Sequence, residues 1–182
     1  MFGPPAQAIF TIGHSTRTFA EFLSLLEEHR IEQLVDVRHF PGSRRVPWAT
    51  AAILERELPS RGIGYAHLGA LGGFRRPRPD SPNTGWRNEG FRGYADHMAS
   101  PEFVAALDRL IALAAVRRTA VMCAEAVPWK CHRSLLSDAL IARGVPVVHI
   151  LGPRSMQPHR LTAFAKVRGD RVRYPAARRK GV

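Results

Sequence analysis

Cys123, Glu125, Cys131, His132 and Arg133 fall within eleven residues, CAEAVPWKCHR, a density of ionisable and nucleophilic groups that folding alone does not require. Leu135, Leu136, Ala139 and Leu140 follow at helical spacing, so Cys131 stands at or near a helix N-terminus. Unpaired backbone N–H groups, the helix dipole and the adjacent Arg133 all favour a thiolate there, the form of cysteine that acts as a nucleophile. The bland alternative is a half-buried cap residue, with the thiol a bystander. Cys123 ends the apolar run Thr119 to Met122 and reads as a small buried core residue. Glu125 sits at a strand end over a low-dielectric sheet, which suits general acid–base work; it could equally pair with Arg133 or Arg38 as an internal ion pair.

Two further stretches carry chemistry. In Gly13-His14-Ser15-Thr16 the glycine permits a tight turn in which backbone amides can approach an anion, with His14 as a candidate proton carrier and Ser15 as a binding group. His14 could instead cap a neighbouring carbonyl. In Asp36-Val37-Arg38 the two charged residues point to the same side of an extended strand, so they are either catalytic and anion-binding groups or a single salt bridge. Arg38, Arg44 and Arg133 could rim an anion site, since the planar guanidinium grips phosphate or carboxylate with a two-pronged fork. Trp129 and Tyr65 could stack on a base, although loop aromatics also serve as anchors.

These three segments together resemble domain-of-unknown-function family 488 of bacteria and archaea, over about Ile9 to His149. The carrying pattern is Cys-Ala-Glu followed by Pro and Cys-His-Arg. The resemblance implies a fold and a set of site residues, and no reaction.

The elements that must position these groups alternate. Ala8 to Ile12, Leu34 to Val37, Gly64 to Leu68, Thr119 to Met122 and Val145 to Ile150 read as strands. Helices are expected from the Thr18/Glu21 capping box to about His29, from Thr50 to Leu58, from Phe91 to Met98, from the Ser100-Pro101 start to Ala115, and from Cys131 to Arg143. Pro158 to Ala165 suggests a turn or two of helix. Ala165-Lys166-Val167 and Val172-Arg173-Tyr174, joined through Gly169-Asp170, suggest a small hairpin. The fold class is therefore α/β: a single domain with a mostly parallel sheet of about five strands and helices on both faces, a Rossmann- or flavodoxin-like three-layer arrangement. Residues 1–153 form this domain, with a long loop over 69–90, and residues 154–182 are a basic extension packed on it or trailing from it. A strand order of 3-2-1-4-5 would make the first and fourth strands neighbours and bring His14 beside Glu125.

The chain has 182 residues, enough for one sizeable core. Without an apolar stretch of membrane-spanning length or an export signal, it is expected to be cytoplasmic, with reduced thiols and no membrane partner. A redox pair of Cys123 and Cys131 would need the two sulfurs within bonding reach. Metal binding by Cys123, Cys131, His132 and His14 lacks a close ligand spacing, and Gly13-His14-Ser15-Thr16 is not a nucleotide loop, so no metal or cofactor is expected. The net charge of +12 is uneven: after Pro153 nine Lys or Arg face one acid, Asp170. That excess suits polyanions, nucleic acid first among them, although 24 Arg against 3 Lys also fits a coding bias. The expected function is an enzyme acting on an anionic substrate, a nucleotide or nucleic-acid component. The alternative is a noncatalytic nucleic-acid-binding module using the Arg-rich loop 75–78 and the basic tail. The oligomeric state is left open.

Overall fold

Alternation along β1 (Ile9–Gly13) sends Ile9 to one face of a sheet and Phe10 and Ile12 to the other, and both faces are covered. The structure, a computed structural model, describes residues 7–176. Arg178, Arg179 and Lys180 of the basic extension lie outside the described residues. The remaining sheet strands are β2 (Gln33–Asp36), β3 (Gly64–His67), β4 (Thr119–Cys123), β5 (Val147–Gly152) and β6 (Ser155–Pro158). The first five run parallel, and β6 adds antiparallel to β5 through a bulge near Ile150 and Gly152. The protein is thus α/β, one domain with a six-stranded, mostly parallel sheet.

Helices α1 (Phe19–Glu28) and α2 (Ala51–Glu57) pack Phe22, Leu26 and Leu54 against Phe10, Ile12, Leu34 and Met122 on one face. Helices α3 (Glu89–His97), α4 (Pro101–Val116) and α5 (Arg133–Ala142) cover Ile9, Val35, Val121 and Val147 on the other. Helix α1 starts with the capping box expected of Thr18 and Glu21, and α4 with the Ser100 cap and Pro101 in its first turn. The C-terminal hairpin forms from β7 (Lys166–Arg168) and β8 (Arg171–Arg173). Its Val172 is buried with Tyr174 in the α5-side core.

Strand order is β3-β2-β4-β1-β5-β6. It departs from the expected 3-2-1-4-5 because β4 occupies the slot between β2 and β1. Both neighbours hydrogen-bond to β4, with Gly13 opposite Cys123 and Asp36 opposite Met122. The departure leaves β1 and β4 adjacent and moves β2 to the far side of β4, so the loop after β4 emerges between the other two motif-bearing loops. The strands β1 and β4 send their helices, α1 and α5, to opposite faces, the arrangement at which a crevice opens over the carboxyl ends of a parallel sheet. One smaller expectation also fails, and one strand was not anticipated. Pro158 to Ala165 is irregular rather than helical, and the polar segment Ser155–Pro158 is an edge strand. No helix among the described residues is long and apolar enough to cross a membrane.

Candidate active site

Gly13 fixes how closely the first and fourth loops approach. A Cβ there would overlap the Glu125 carbonyl oxygen, so only glycine lets β1 end against the turn that follows β4. The amides of His14 and Ser15 then donate to the carbonyls of Cys123 and Ala124 at 3.0 and 2.9 Å. Ser15 takes a left-handed conformation with φ 49° to make that turn. Arg133, in the first turn of α5, reaches back and donates to the carbonyls of Glu125 at 2.5 Å and Ala126 at 3.4 Å, and to the Thr11 hydroxyl at 3.3 Å. The segment 123–126 is therefore held from both sides.

Above it lies a cavity of about 550 Å³ at the carboxyl edge of the sheet. Its walls come from residues 38–42 after β2, Gly73 and Phe74 after β3, the start of α3, and residues 123–125 and 130–132 after β4. Gly72 lets the β3 loop lie against the backbone of His39, where a side chain would collide, and Gly73 lies close to the ring of His132. The next residue, Phe74, holds φ at 61°, a strained value for a bulky residue, and is 89% exposed. Phe40, 69% exposed, stands with its ring centroid 6.4 Å from that of Phe74. The rim is thus aromatic, while Lys130 and Glu125 supply charge; the guanidinium of Arg38, which also lines the wall, is paired with Asp36.

Cys131 and Cys123 both line the cavity, and their Sγ atoms are 2.8 Å apart. Cys131 follows a short 3-10 turn, Pro128–Lys130, one residue ahead of the residue that precedes α5. The hydrogen bond from the Cys123 thiol is the main influence holding the Cys131 thiol well below its ordinary range. His132, whose Nδ1 lies 3.5 Å from Cys131 Sγ, and the charge of Arg133 act in the same direction, against the opposing effect of burial. Burial first, then the bond to Cys131, pushes the Cys123 thiol well up. One sulfur is set to ionise and its neighbour to keep its proton.

The sequence-derived site residues divide into three groups. Arg38, Glu125, Cys131 and His132 meet in the cavity. Glu125 is exposed and makes no side-chain hydrogen bond or ion pair among the described residues, so it is not the ion-pair partner of Arg133 or Arg38. Asp36, His14 and Arg133 lie behind the cavity wall, contrary to the expectation that they share its solvent-reachable space. Asp36 is fully buried and accepts from Arg38 Nε at 2.9 Å, Arg38 Nη2 at 2.6 Å and the Tyr65 hydroxyl at 2.9 Å. It is the salt-bridge member of the two alternatives. Being buried and bonded to Asp36 pushes the Tyr65 hydroxyl pKa far up, which makes Tyr65 an anchor for Asp36. His14 packs edge-on to Trp48 and bonds the Ser15 carbonyl oxygen at 2.9 Å; burial lowers its pKa. Arg133, at 0% exposure, spends its fork on carbonyls and does not line the cavity. Ser15 is half-buried outside the cavity, Arg44 is exposed on the loop after β2, and Trp129 borders a separate hollow of about 230 Å³ with Pro128 and His159.

Three cavity residues, His39, Phe40 and Lys130, escaped the sequence reading. The usable signal was position, since His39 and Phe40 directly follow the charged end of β2. A second polar chain was also missed. The Thr11 hydroxyl meets His149 Nδ1 at 2.7 Å, His149 Nε2 meets His159 Nδ1 at 3.0 Å, and His159 Nε2 meets Asp138 Oδ1 at 2.8 Å. Among the described residues no three His, Cys, Asp or Glu side chains converge as a metal-ligand set.

A comparison with the curated proteins and with the solved structures finds no match to this chain. The family model described as domain of unknown function DUF488 matches residues 18–140, a span that takes in the loop after β2, the long loop after β3 and the whole Cys123–Arg133 segment. The chain belongs to the DUF488 family.

Proposed function

We propose that the protein is an enzyme in which Cys131 attacks an electrophilic centre of an anionic substrate, a nucleotide or nucleic-acid component, bound in the cavity over β4. The observation that carries this reading is the setting of Cys131: a sulfur disposed to ionise, on the wall of a cavity of about 550 Å³. Lys130 offers positive charge for the anion, since the guanidinium of Arg38 is already paired with Asp36, and Phe40 and Phe74 offer exposed faces on which a planar ring can stack. The strained backbone of Phe74 supports a role for that ring, because an exposed phenyl held at positive φ contributes nothing to the core. Glu125, at the rim and without a side-chain partner among the described residues, is the proton carrier in this reading. Arg133 acts one step back, holding the loop that carries Cys123 and Glu125.

Alkylation of Cys131 by iodoacetamide at neutral pH tests the reading, with nucleotides, nucleosides and short oligonucleotides screened as protectants. A binding ligand slows the alkylation, and Phe40→Ala with Phe74→Ala abolishes the protection while leaving the unprotected rate and the melting temperature unchanged. A Cys131 as slow as an ordinary buried thiol sinks the nucleophile assignment, and a reactive Cys131 that no anionic ligand protects sinks the substrate class.

One observation favours the alternative of a noncatalytic nucleic-acid-binding module. In the C-terminal hairpin Lys166 lies opposite Arg173 and Arg168 opposite Arg171. These four cations border a hollow of about 390 Å³ with Pro82 and Pro175. Like charges directly across a ladder are destabilising, and a phosphate backbone would relieve them. Under this reading Arg168→Glu with Arg171→Glu weakens oligonucleotide binding and flattens its salt dependence, and Glu125→Ala leaves it intact. The opposite pattern excludes it.

A further inference from the structure

We propose that Cys131 and Cys123 form a redox-active dithiol that reduces hydroperoxides, with Cys131 as the attacking and Cys123 as the resolving sulfur. The proposal rests on the reading of Cys131 as a nucleophile and assigns that nucleophile a reaction.

The first support is distance. The sulfurs are 2.8 Å apart, so a bond needs an approach of only ~0.8 Å from this separation to the ~2.05 Å of a disulfide. The second is rigidity. Cys123 is the last residue of the sheet's inner strand, and its carbonyl accepts from the His14 amide. Cys131 ends the 3-10 turn, its own amide donating to Pro128 at 3.0 Å and its carbonyl accepting from the Ser134 amide at 3.1 Å. The intervening turn is clamped by Arg133 on Glu125 and Ala126. Neither sulfur needs a backbone rearrangement to meet the other.

The third support is the division of labour between them. The environment that favours ionisation of Cys131 is the one that keeps Cys123 protonated, and each sulfur contributes to the state of the other. A dithiol in which one member is ionised and the other holds the proton is prepared for attack by the first and closure by the second. The fourth is access. Both residues are almost sealed from bulk water, Cys131 at 5% and Cys123 at 2% exposure, yet both form part of the cavity wall, so a small oxidant reaches them only through the cavity.

The Cys131 thiolate attacks the terminal oxygen of a hydroperoxide; an S–O bond forms, the O–O bond breaks, and the departing alkoxide takes a proton from solvent and leaves as alcohol. Cys131 is then a sulfenic acid. The Cys123 sulfur attacks Cys131 Sγ, the S–O bond breaks, and the thiol proton leaves with the hydroxide as water. The peroxide has gained two electrons and the cysteine pair has lost two. An external dithiol such as dithiothreitol returns the pair to the reduced state by two successive thiol–disulfide exchanges.

The wild-type full chain, fully reduced and then treated with hydrogen peroxide or tert-butyl hydroperoxide at one equivalent, provides the test. The expected result is loss of both thiols, an intact mass lower by two hydrogens, a Cys123–Cys131 cross-link in the peptide map, and complete reversal by dithiothreitol. Cys123→Ser, checked by circular dichroism for native secondary structure, stops at a dimedone-trappable sulfenic acid on Cys131 and forms no intramolecular disulfide. Cys131→Ser leaves Cys123 reduced. If wild type keeps both thiols after peroxide treatment while Cys131 still alkylates rapidly with iodoacetamide, the redox couple is overturned and the nucleophile reading stands. If Cys131 accumulates as sulfenic or sulfinic acid beside a reduced Cys123, the resolving role is overturned. A Cys131 that neither alkylates nor oxidises removes both.

Discussion

Replacing Arg38 by Met tests whether this residue is a structural ion-pair partner as well as a wall of the cavity. The buried Asp36 carboxylate receives four hydrogen bonds: from the Arg38 amide at 3.1 Å, Arg38 Nε at 2.9 Å, Arg38 Nη2 at 2.6 Å and the Tyr65 hydroxyl at 2.9 Å. Methionine keeps the amide and the stem volume and removes two of the four bonds together with the guanidinium charge. It also leaves the Ala49 carbonyl, which accepts from Arg38 Nη1 at 2.8 Å, without that donor. Breaking a buried pair from one side costs about 3–5 kcal/mol, because an uncompensated charge stays in the interior. With a urea slope of about 2 kcal/mol/M for a chain of this size, the unfolding midpoint falls by roughly 2 M. Asp36→Asn combined with Arg38→Met removes both charges, so the double variant should lose at least ~2 kcal/mol less than the sum of the singles. Urea unfolding followed by circular dichroism measures all three. A loss below about 1 kcal/mol for Arg38→Met, the range of an exposed pair, or additive singles, would refute the claim of a buried, coupled ion pair.

Three other outcomes are expected. His149, buried between the Thr11 hydroxyl and His159, has its pKa pushed down to about 4 from 6.5, first by burial and then by the charges of His159 and Arg133. The unfolded chain then binds more protons than the native one between those values, so stability present above pH 6.5 is lost as pH falls through this window toward 4. The loss should be about 2 kcal/mol once solvent screening is allowed for, and His149→Gln should flatten that part of the stability–pH curve. Gly13→Ala forces a methyl into the Glu125 carbonyl and should cost about 1–3 kcal/mol while slowing Cys131 alkylation, since the turn carrying Cys123 is displaced. An unchanged melting temperature would show that the close approach is dispensable. His132→Ala removes a group that lowers the Cys131 pKa, so the inflection of the alkylation rate against pH should move upward; a stationary inflection would leave Cys123 and Arg133 as the relevant influences.

The layered α/β plan was legible because each strand of the parallel sheet is a short apolar run and each helix carries its own cap signal, as Thr18, Ser100 and Pro101 illustrate. Strand order was not legible, since the slot between β2 and β1 is filled by a strand more than 80 residues further along and nothing local in Thr119–Cys123 records its neighbours. The edge strand Ser155–Pro158 was hidden for the opposite reason: it is exposed along its length, so it has no apolar run to read. In the site, the segment after β4 announced itself by composition. What could not be read was depth. His14 and Arg133 look like surface chemistry in the sequence, but the ring of Trp48 covers the first and the carbonyls of Glu125 and Ala126 absorb the second. The Thr11–His149–His159–Asp138 chain joins residues of β1, β5 and α5 with one from the segment after β6 and exists only through tertiary packing.

Asp138, on α5, is where the end of the described chain is fastened. It is fully buried and bonds His159 Nε2 at 2.8 Å, the Thr162 amide at 3.0 Å and the Tyr174 hydroxyl at 2.8 Å, three groups that all come from beyond Pro153. The described part of the basic extension is therefore no detachable appendage: cutting it away would strip a carboxylate inside the protein of the three partners it has among the described residues. A shortened protein that lost nucleic-acid affinity would for that reason say little about phosphate recognition, whereas charge swaps on the outward side of the hairpin would leave this clasp shut.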